Sequence, residues 1–134
     1  NLKEIGIDYV QKIKSISNNS ERFTDKLPIN YKRKNYVIVG SRSHMSAETQ
    51  MFFEQKQKEH GNVEVMAVGS SLKLCMVAEG KADTYPRYAP TMEWDTGAGH
   101  AIAKYAGFSV KQYNSSEDVV YNKENLLNPW FLVS

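Results

Sequence analysis

Thr91-Met92-Glu93-Trp94-Asp95-Thr96-Gly97-Ala98-Gly99-His100-Ala101-Ile102-Ala103-Lys104-Tyr105-Ala106-Gly107 puts a carboxylate, Asp95, beside small residues at the start of an amphipathic helix. Gly97, Ala98 and Gly99 carry no bulky side chains, so backbone N–H groups at the helix start should stay open to an anion, and a helix N-terminus favours negative charge. Ala98, Ala101, Ile102, Tyr105 and Ala106 fall at i, i+3, i+4, i+7 and i+8, which predicts a helix with its apolar stripe on those residues. Gly107 is placed to stop it. The spacing puts Asp95 at or near the N-cap, where an acid is ordinarily explained as a cap worth about 1 kcal/mol. The small residues behind it also suit a carboxylate that holds a metal ion against a phosphate.

Outward from that helix, strands alternate with helices. Tyr36 to Gly40, Tyr-Val-Ile-Val-Gly, has the β-branched density of a buried strand and starts the compact part. Ser46 caps a helix that carries Met51, Phe52 and Phe53 and ends at Gly61. A strand at Val63 to Val68 follows, then Gly69-Ser70-Ser71 opens a short apolar helix that Gly80 closes. Ala82 to Pro86 reads as another strand, leading into the loop before Asp95. Beyond the Asp95 helix come a short strand near Phe108, a polar turn at Asn114 to Asp118 and a final apolar segment at Trp130 to Val133. This order predicts an α/β fold, a mixed sheet flanked by helices with at least some parallel pairings. Residues 1–35 read as a separate N-terminal helix and linker: Leu2, Ile5, Tyr9, Ile13 and Ile16 make a helical stripe, and Asn18 to Asn35, with Pro28, reads as loop. Residues 36–134 form the α/β domain.

The chain has 134 residues, enough for one domain that buries roughly two thirds of its unfolded surface. Apolar residues make up 41% and charged residues 24%, and no stretch approaches the roughly 20 apolar residues of a membrane span. No targeting signal is evident. A net charge of +2 argues against a nucleic acid polymer as partner, and Lys32-Arg33-Lys34 reads as a solvated loop before a strand. Cys75 is the sole cysteine, which excludes an internal disulfide framework and a cysteine metal cluster and is compatible with a reducing cytosol. It lies in the apolar run Leu72 to Ala78, as a buried inert thiol. The chain begins with Asn rather than Met, so a piece of a longer protein is expected.

Ligands of open α/β sheets gather at the C-terminal ends of strands. Four loops there carry polar groups: Ser41-Arg42-Ser43-His44, Gly69-Ser70-Ser71 with Lys73 one turn on, the Arg87 loop, and the Asp95 loop. Hydroxyls, Lys, Arg and His are donors for phosphate oxygens. Each also has a plainer explanation: Ser70 as a cap, Lys73 on a solvated face, Arg87 in a surface ion pair, His44 as a hydrogen-bonded loop residue.

The string Trp94-Asp95, a small-residue run, an apolar helix and closing Gly107 resembles the second signature of the lithium-sensitive, magnesium-dependent phosphatases related to inositol monophosphatase. Ser41-Arg42-Ser43-His44, Gly69-Ser70-Ser71-Leu72-Lys73, Tyr85-Pro86-Arg87, Trp94-Asp95 and the closing Asn122-Lys123-Glu124-Asn125-Leu126-Leu127-Asn128-Pro129-Trp130 are together similar to the 3′(2′),5′-bisphosphate nucleotidases of the CysQ type, from about Tyr36 to the C-terminus. The resemblance implies the C-terminal domain of the sugar-phosphatase, inositol monophosphatase-like fold, with Mg²⁺ as cofactor and Asp95 as a metal ligand. It implies removal of the 3′-phosphate from 3′-phosphoadenosine 5′-phosphate, with His44, Gly69, Ser70, Lys73, Arg87, Asp95 and Gly97 at the substrate, in a cytoplasmic protein with or without peripheral attachment at the inner membrane.

Gly97 stands where the family's usual Trp-Asp-Thr-Ala-Ala-Gly has its first Ala, a change that lowers helix propensity and leaves the phosphate approach open. The family's first signature, Asp-Pro-Leu/Ile-Asp-Gly-Thr/Ser, and the Glu-Glu pair before it are not in these residues. They supply most of the metal ligands, and one carboxylate does not hold catalytic Mg²⁺. The chain is thus expected to be the C-terminal half of the enzyme, without turnover until joined by its N-terminal half. An inositol or sugar phosphatase of the same superfamily, and a non-catalytic nucleotide-binding module as the fragment alone, are the alternatives.

Overall fold

The computed structural model describes residues 11–16, 22–40 and 46–134. Its first elements correct the expected N-terminal helix and linker. Gln11–Ile16 (β1) and Arg22–Lys26 (β2) are antiparallel strands, paired from Gln11↔Lys26 to Ile16↔Arg22 with an irregularity between Ile13 and Ser15. Ile13 and Ile16, counted above towards a helical stripe, are β-branched and favour an extended chain once a partner strand is in register. Leu2, Ile5 and Tyr9 lie outside the described residues.

From residue 36 the order is as expected. Tyr36–Gly40 (β3) is buried over its last four residues. Ser46 Oγ accepts from Thr49 N at 3.2 Å to start Ala47–His60 (α1), and Gly61, at φ 76°, ends it. Val63–Ala67 (β4) then pairs parallel with β3, Tyr36↔Val63 through Gly40↔Ala67, the crossover being α1. Leu72–Glu79 (α2), Tyr85–Arg87 (β5), Glu93–Tyr105 (α3), Val110–Gln112 (β6) and Phe131–Val133 (β7) complete the chain. Strand β7 lies between β5 and β6, antiparallel to both. A parallel bridge, Ile38↔Thr84, with Val39 N donating to Thr84 O at 2.9 Å, joins this sheet to β3. The strands therefore run β4, β3, β5, β7, β6, a mixed arrangement. Val37, Val39, Leu74, Val77, Tyr85, Ala103, Val110, Phe131 and Val133 fill the core where α2 and α3 cover the sheet. No helix among the described residues is long and apolar enough to cross a membrane.

Helix α3 exists as predicted but starts earlier and turns a different face inward. Its first residue is Glu93, and the buried positions are Thr96, Gly99, His100 and Ala103, whereas Ala98 and Ala101 are exposed. The cause is the crossing with α2: a Cβ on Gly99 would lie 3.0 Å from Leu74 Cβ and Cδ1, so the missing side chain is what lets the helices approach. A count of apolar residues gives no weight to Gly and Thr and so misplaces the stripe.

Helix α2 ends on Gly80 at φ 87°, where an added Cβ would stand 2.4 Å from the Ile29 carbonyl oxygen. That oxygen is backbone, and its residue is held by the Ile29 N bond to Glu79 O at 2.9 Å. Gly80→Ala therefore meets both a left-handed backbone and a collision, and is expected to destabilise the chain by about 3 kcal/mol, read as a lower midpoint in urea unfolding.

Candidate active site

A cavity of 440 Å³ opens where the turn before α2, the end of β5 and the start of α3 meet, with Ser70, Lys73, Tyr85, Arg87, Thr91 and Asp95 among its lining. Ser70, Lys73, Arg87 and Asp95, picked out separately along the sequence, are thus brought to one place. Gly69 is exposed in the turn beside them and does not line the cavity. Gly97 does not line it either; it lies a turn inside α3, where a Cβ would touch Tyr121 Cε1 at 3.6 Å. His44, with Ser41-Arg42-Ser43, lies outside the described residues. A larger hollow of 620 Å³ between α1 and the β6–β7 edge is lined by Phe52, Tyr88, Lys111 and Tyr113 and holds none of the predicted residues.

Lys73 is not on a solvated face: it is 6% exposed. Its Nζ donates to Ser70 O at 3.0 Å and stands 5.5 Å from the centre of the Tyr85 ring, so the stem packs while the ammonium faces a carbonyl and a π-face. Burial, and then the nearby Arg87 guanidinium, hold the Lys73 pKa below the ordinary lysine value. Ser70, at φ 54°, makes the turn, while Ser71 occupies the N-cap position without a side-chain cap bond, so the expected Ser70 cap is not formed. Among the described residues Arg87 has no ion-pair partner either. Its Nη2 donates to Pro90 O at 3.0 Å, and its buried Nε has no partner among the described residues.

Asp95 is the third residue of α3, three places after the N-cap Met92, and its Oδ2 accepts from Met92 N at 2.9 Å. The neighbouring amides are largely committed: Glu93 N donates to Leu126 O and Asp95 N to Met92 O, both at 3.0 Å. Gly97 and Gly99 sit in the helix interior, where N–H groups bond carbonyls four residues back. Gly99 therefore serves packing against α2, the run is not an open amide cradle, and side chains are what the cavity offers an anion. Among the described residues no group of three His, Cys, Asp or Glu is placed to hold a metal ion. Asp95 is one carboxylate where Mg²⁺ takes several oxygen ligands, so these residues do not form a metal site by themselves.

A polar network that periodicity does not reveal lies behind the cavity. His100 Nδ1 and Tyr121 OH are 2.9 Å apart, Tyr121 OH donates to Thr96 Oγ1 at 3.2 Å, and Asn128 Nδ2 reaches Thr96 Oγ1 at 2.9 Å and Thr91 Oγ1 at 3.2 Å. Glu93 accepts from Asn122 N at 2.7 Å, from Lys123 N at 3.2 Å and from Lys123 Nζ. Hydroxyl and amide side chains follow no hydrophobic period, and only the closing string from Asn122 to Trp130 points to this segment.

Residues 11–130 match the inositol monophosphatase family. The 3′(2′),5′-bisphosphate nucleotidase CysQ of Escherichia coli (strain K12) is 44% identical over 98 residues, which cover 73% of this chain and 38% of that protein. The crystal structure of CysQ from Bacteroides thetaiotaomicron, a bacterial member of the inositol monophosphatase family, aligns with a TM-score of 0.79 at 47% identity over 94% of this chain and 49% of that one. Staphylococcal IMPase-II shares the fold, with a TM-score of 0.60 at 16% identity over 87% of this chain and 46% of that one. The chain spans less than half the length of each of these relatives. With a match over nearly its whole length and this fold around the Asp95 helix, the chain belongs to the inositol monophosphatase family.

Proposed function

We propose that the chain is the C-terminal half of a Mg²⁺-dependent 3′(2′),5′-bisphosphate nucleotidase that removes the 3′-phosphate of 3′-phosphoadenosine 5′-phosphate in the cytoplasm. The observation that carries this is the convergence of Lys73 and Arg87, two cations with donors to spare, on a cavity that also holds Ser70 and Asp95. Two cations held together at a half-buried wall are relieved by an anion, and a bisphosphate brings more than one anionic group. The CysQ relatives support a nucleotide over other phosphate esters. Lys73 and Arg87 bind and orient the substrate, with Ser70 beside them. Asp95 faces them as an acid with no cation partner of its own in the cavity wall, which suits one ligand of a metal whose other ligands belong to the N-terminal half. When bound, that ion supplies charge neutralisation and an activated water.

The test compares this chain with a version extended upstream to the length of its relatives, each given Mg²⁺ with 3′-phosphoadenosine 5′-phosphate or inositol 1-phosphate. The short chain is expected to release no phosphate, and the extended one to release it preferentially from the bisphosphate. Turnover by the short chain that disappears in an Asp95 variant would show that the ligands assigned elsewhere are not needed. Preference for inositol 1-phosphate would move the enzyme to the inositol or sugar phosphatases, whose fold it shares with staphylococcal IMPase-II. Nucleotide binding without turnover in the extended protein would leave a non-catalytic binding module.

A further inference from the structure

Asn128, 4% exposed, lies in the segment that runs from β6 to β7. Both hydrogens of its Nδ2 are used, on Thr91 Oγ1 at 3.2 Å and Thr96 Oγ1 at 2.9 Å, and its backbone N donates to Thr91 O at 2.8 Å. Its Oδ1, also buried, has no partner among the described residues. The side chain's bonding is therefore spent on joining two threonines. Both line the cavity. Thr91 follows Pro90, whose carbonyl holds Arg87, and Thr96 follows Asp95 in α3.

The same segment is fastened to the same helix end by other means. Leu127 bridges Met92, Leu126 O accepts from Glu93 N, and Lys123 pairs with Glu93. These contacts attach the segment to the start of α3. Among the described residues Asn128 alone bonds both of these threonine side chains. Thr91 Oγ1 accepts from Asn128, which leaves its proton for an anionic oxygen in the cavity.

We propose that Asn128 is a positioning residue, which sets the separation of the Arg87 wall from Asp95 and holds the Thr91 hydroxyl as a donor to the substrate. This rests on the phosphatase reading above, and the test uses the full-length enzyme with 3′-phosphoadenosine 5′-phosphate. Misplacing reacting groups by about 1 Å can cost as much as ~10²-fold, so Asn128→Ala is expected to lower kcat about tenfold while KM moves less than about threefold. Thr91→Val, which removes the hydroxyl but keeps the shape, should lower kcat/KM, and Thr91→Ser should restore it. Because Asn128 acts partly through Thr91, the double variant should lose less than the product of the single losses. Asn125→Ala, which removes the Asn125 Oδ1 bond to Leu127 N at 3.0 Å elsewhere in the segment, should leave both constants near wild type. Fully multiplicative losses, or an equal fall in kcat for Asn125→Ala and Asn128→Ala, overturn the proposal. If Asn128→Ala does not fold, an unchanged kcat/KM in Thr91→Val overturns it alone. An active wild type with indifferent variants defeats this inference only, and an inactive wild type defeats both.

Discussion

Asp95→Asn in the complete enzyme is expected to lower kcat by at least about a hundredfold and to leave the unfolding midpoint close to wild type. The two halves of that result separate the two jobs an acid can do at this position. As part of the helix start, Asp95 accepts the Met92 N–H at 2.9 Å, and an asparagine oxygen accepts it equally well in geometry. Stability should therefore persist in Asp95→Asn and fall by about 1 kcal/mol in Asp95→Ala, which has no acceptor. As a metal ligand, Asp95 contributes a negative charge, and the amide oxygen does not replace it, because hard divalent cations select anionic oxygen. A pure cap predicts the reverse ranking: near-wild-type turnover for Asp95→Asn at saturating Mg²⁺, with the damage confined to the stability of Asp95→Ala. Kinetics and urea unfolding on the same two variants decide between them.

The features legible in the sequence are those decided within a few residues. Ser46 starts α1 and Gly61 and Gly80 end their helices because caps and left-handed termini are local chemistry. The β-branched run Tyr36–Gly40 is a strand for the same reason. What was misread depends on partners distant in sequence. The stripe containing Ile13 and Ile16 suits a helix or a strand, and pairing with Arg22–Lys26 selects the strand. The buried face of α3 is set by Leu74 of α2, which fills the space left open at Gly99. At the candidate site, residue types and the family resemblance singled out Ser70, Lys73, Arg87 and Asp95, which the fold then gathers. The plainer explanation of Lys73, a solvated face, fails because its Nζ finds Ser70 O and the Tyr85 ring, although charged residues are seldom buried. The bonds that join Thr91, Thr96 and Asn128 are not legible, although the stretches that hold these residues are, since nothing in a chain's periodicity marks a hydroxyl that will meet an amide 37 or 32 residues away.

Arg87→Ala in the complete enzyme should lower kcat/KM for 3′-phosphoadenosine 5′-phosphate by roughly ten- to a hundredfold and affect inositol 1-phosphate far less. The magnitude follows from one charge-assisted interaction, about 1.5–3 kcal/mol, at about 1.4 kcal/mol per tenfold. The selectivity follows from where Arg87 stands. Its Nη2 is already held by Pro90 O at 3.0 Å, which fixes the guanidinium plane, while the buried Nε has no partner among the described residues. A pre-oriented cation at the cavity is matched by an anionic group, and a monophosphate occupied in the reaction has no second one to offer. Lys73 gives an independent readout. Arg87 is one of the two causes that hold its pKa down, burial being the larger, so Arg87→Ala should raise the Lys73 pKa, observable by NMR titration of its side chain. Equal losses on both substrates would mean that Arg87 supports the shared phosphate site or the fold. A bisphosphate-selective loss accompanied by the upward shift at Lys73 is the result expected of two cations that share one anion.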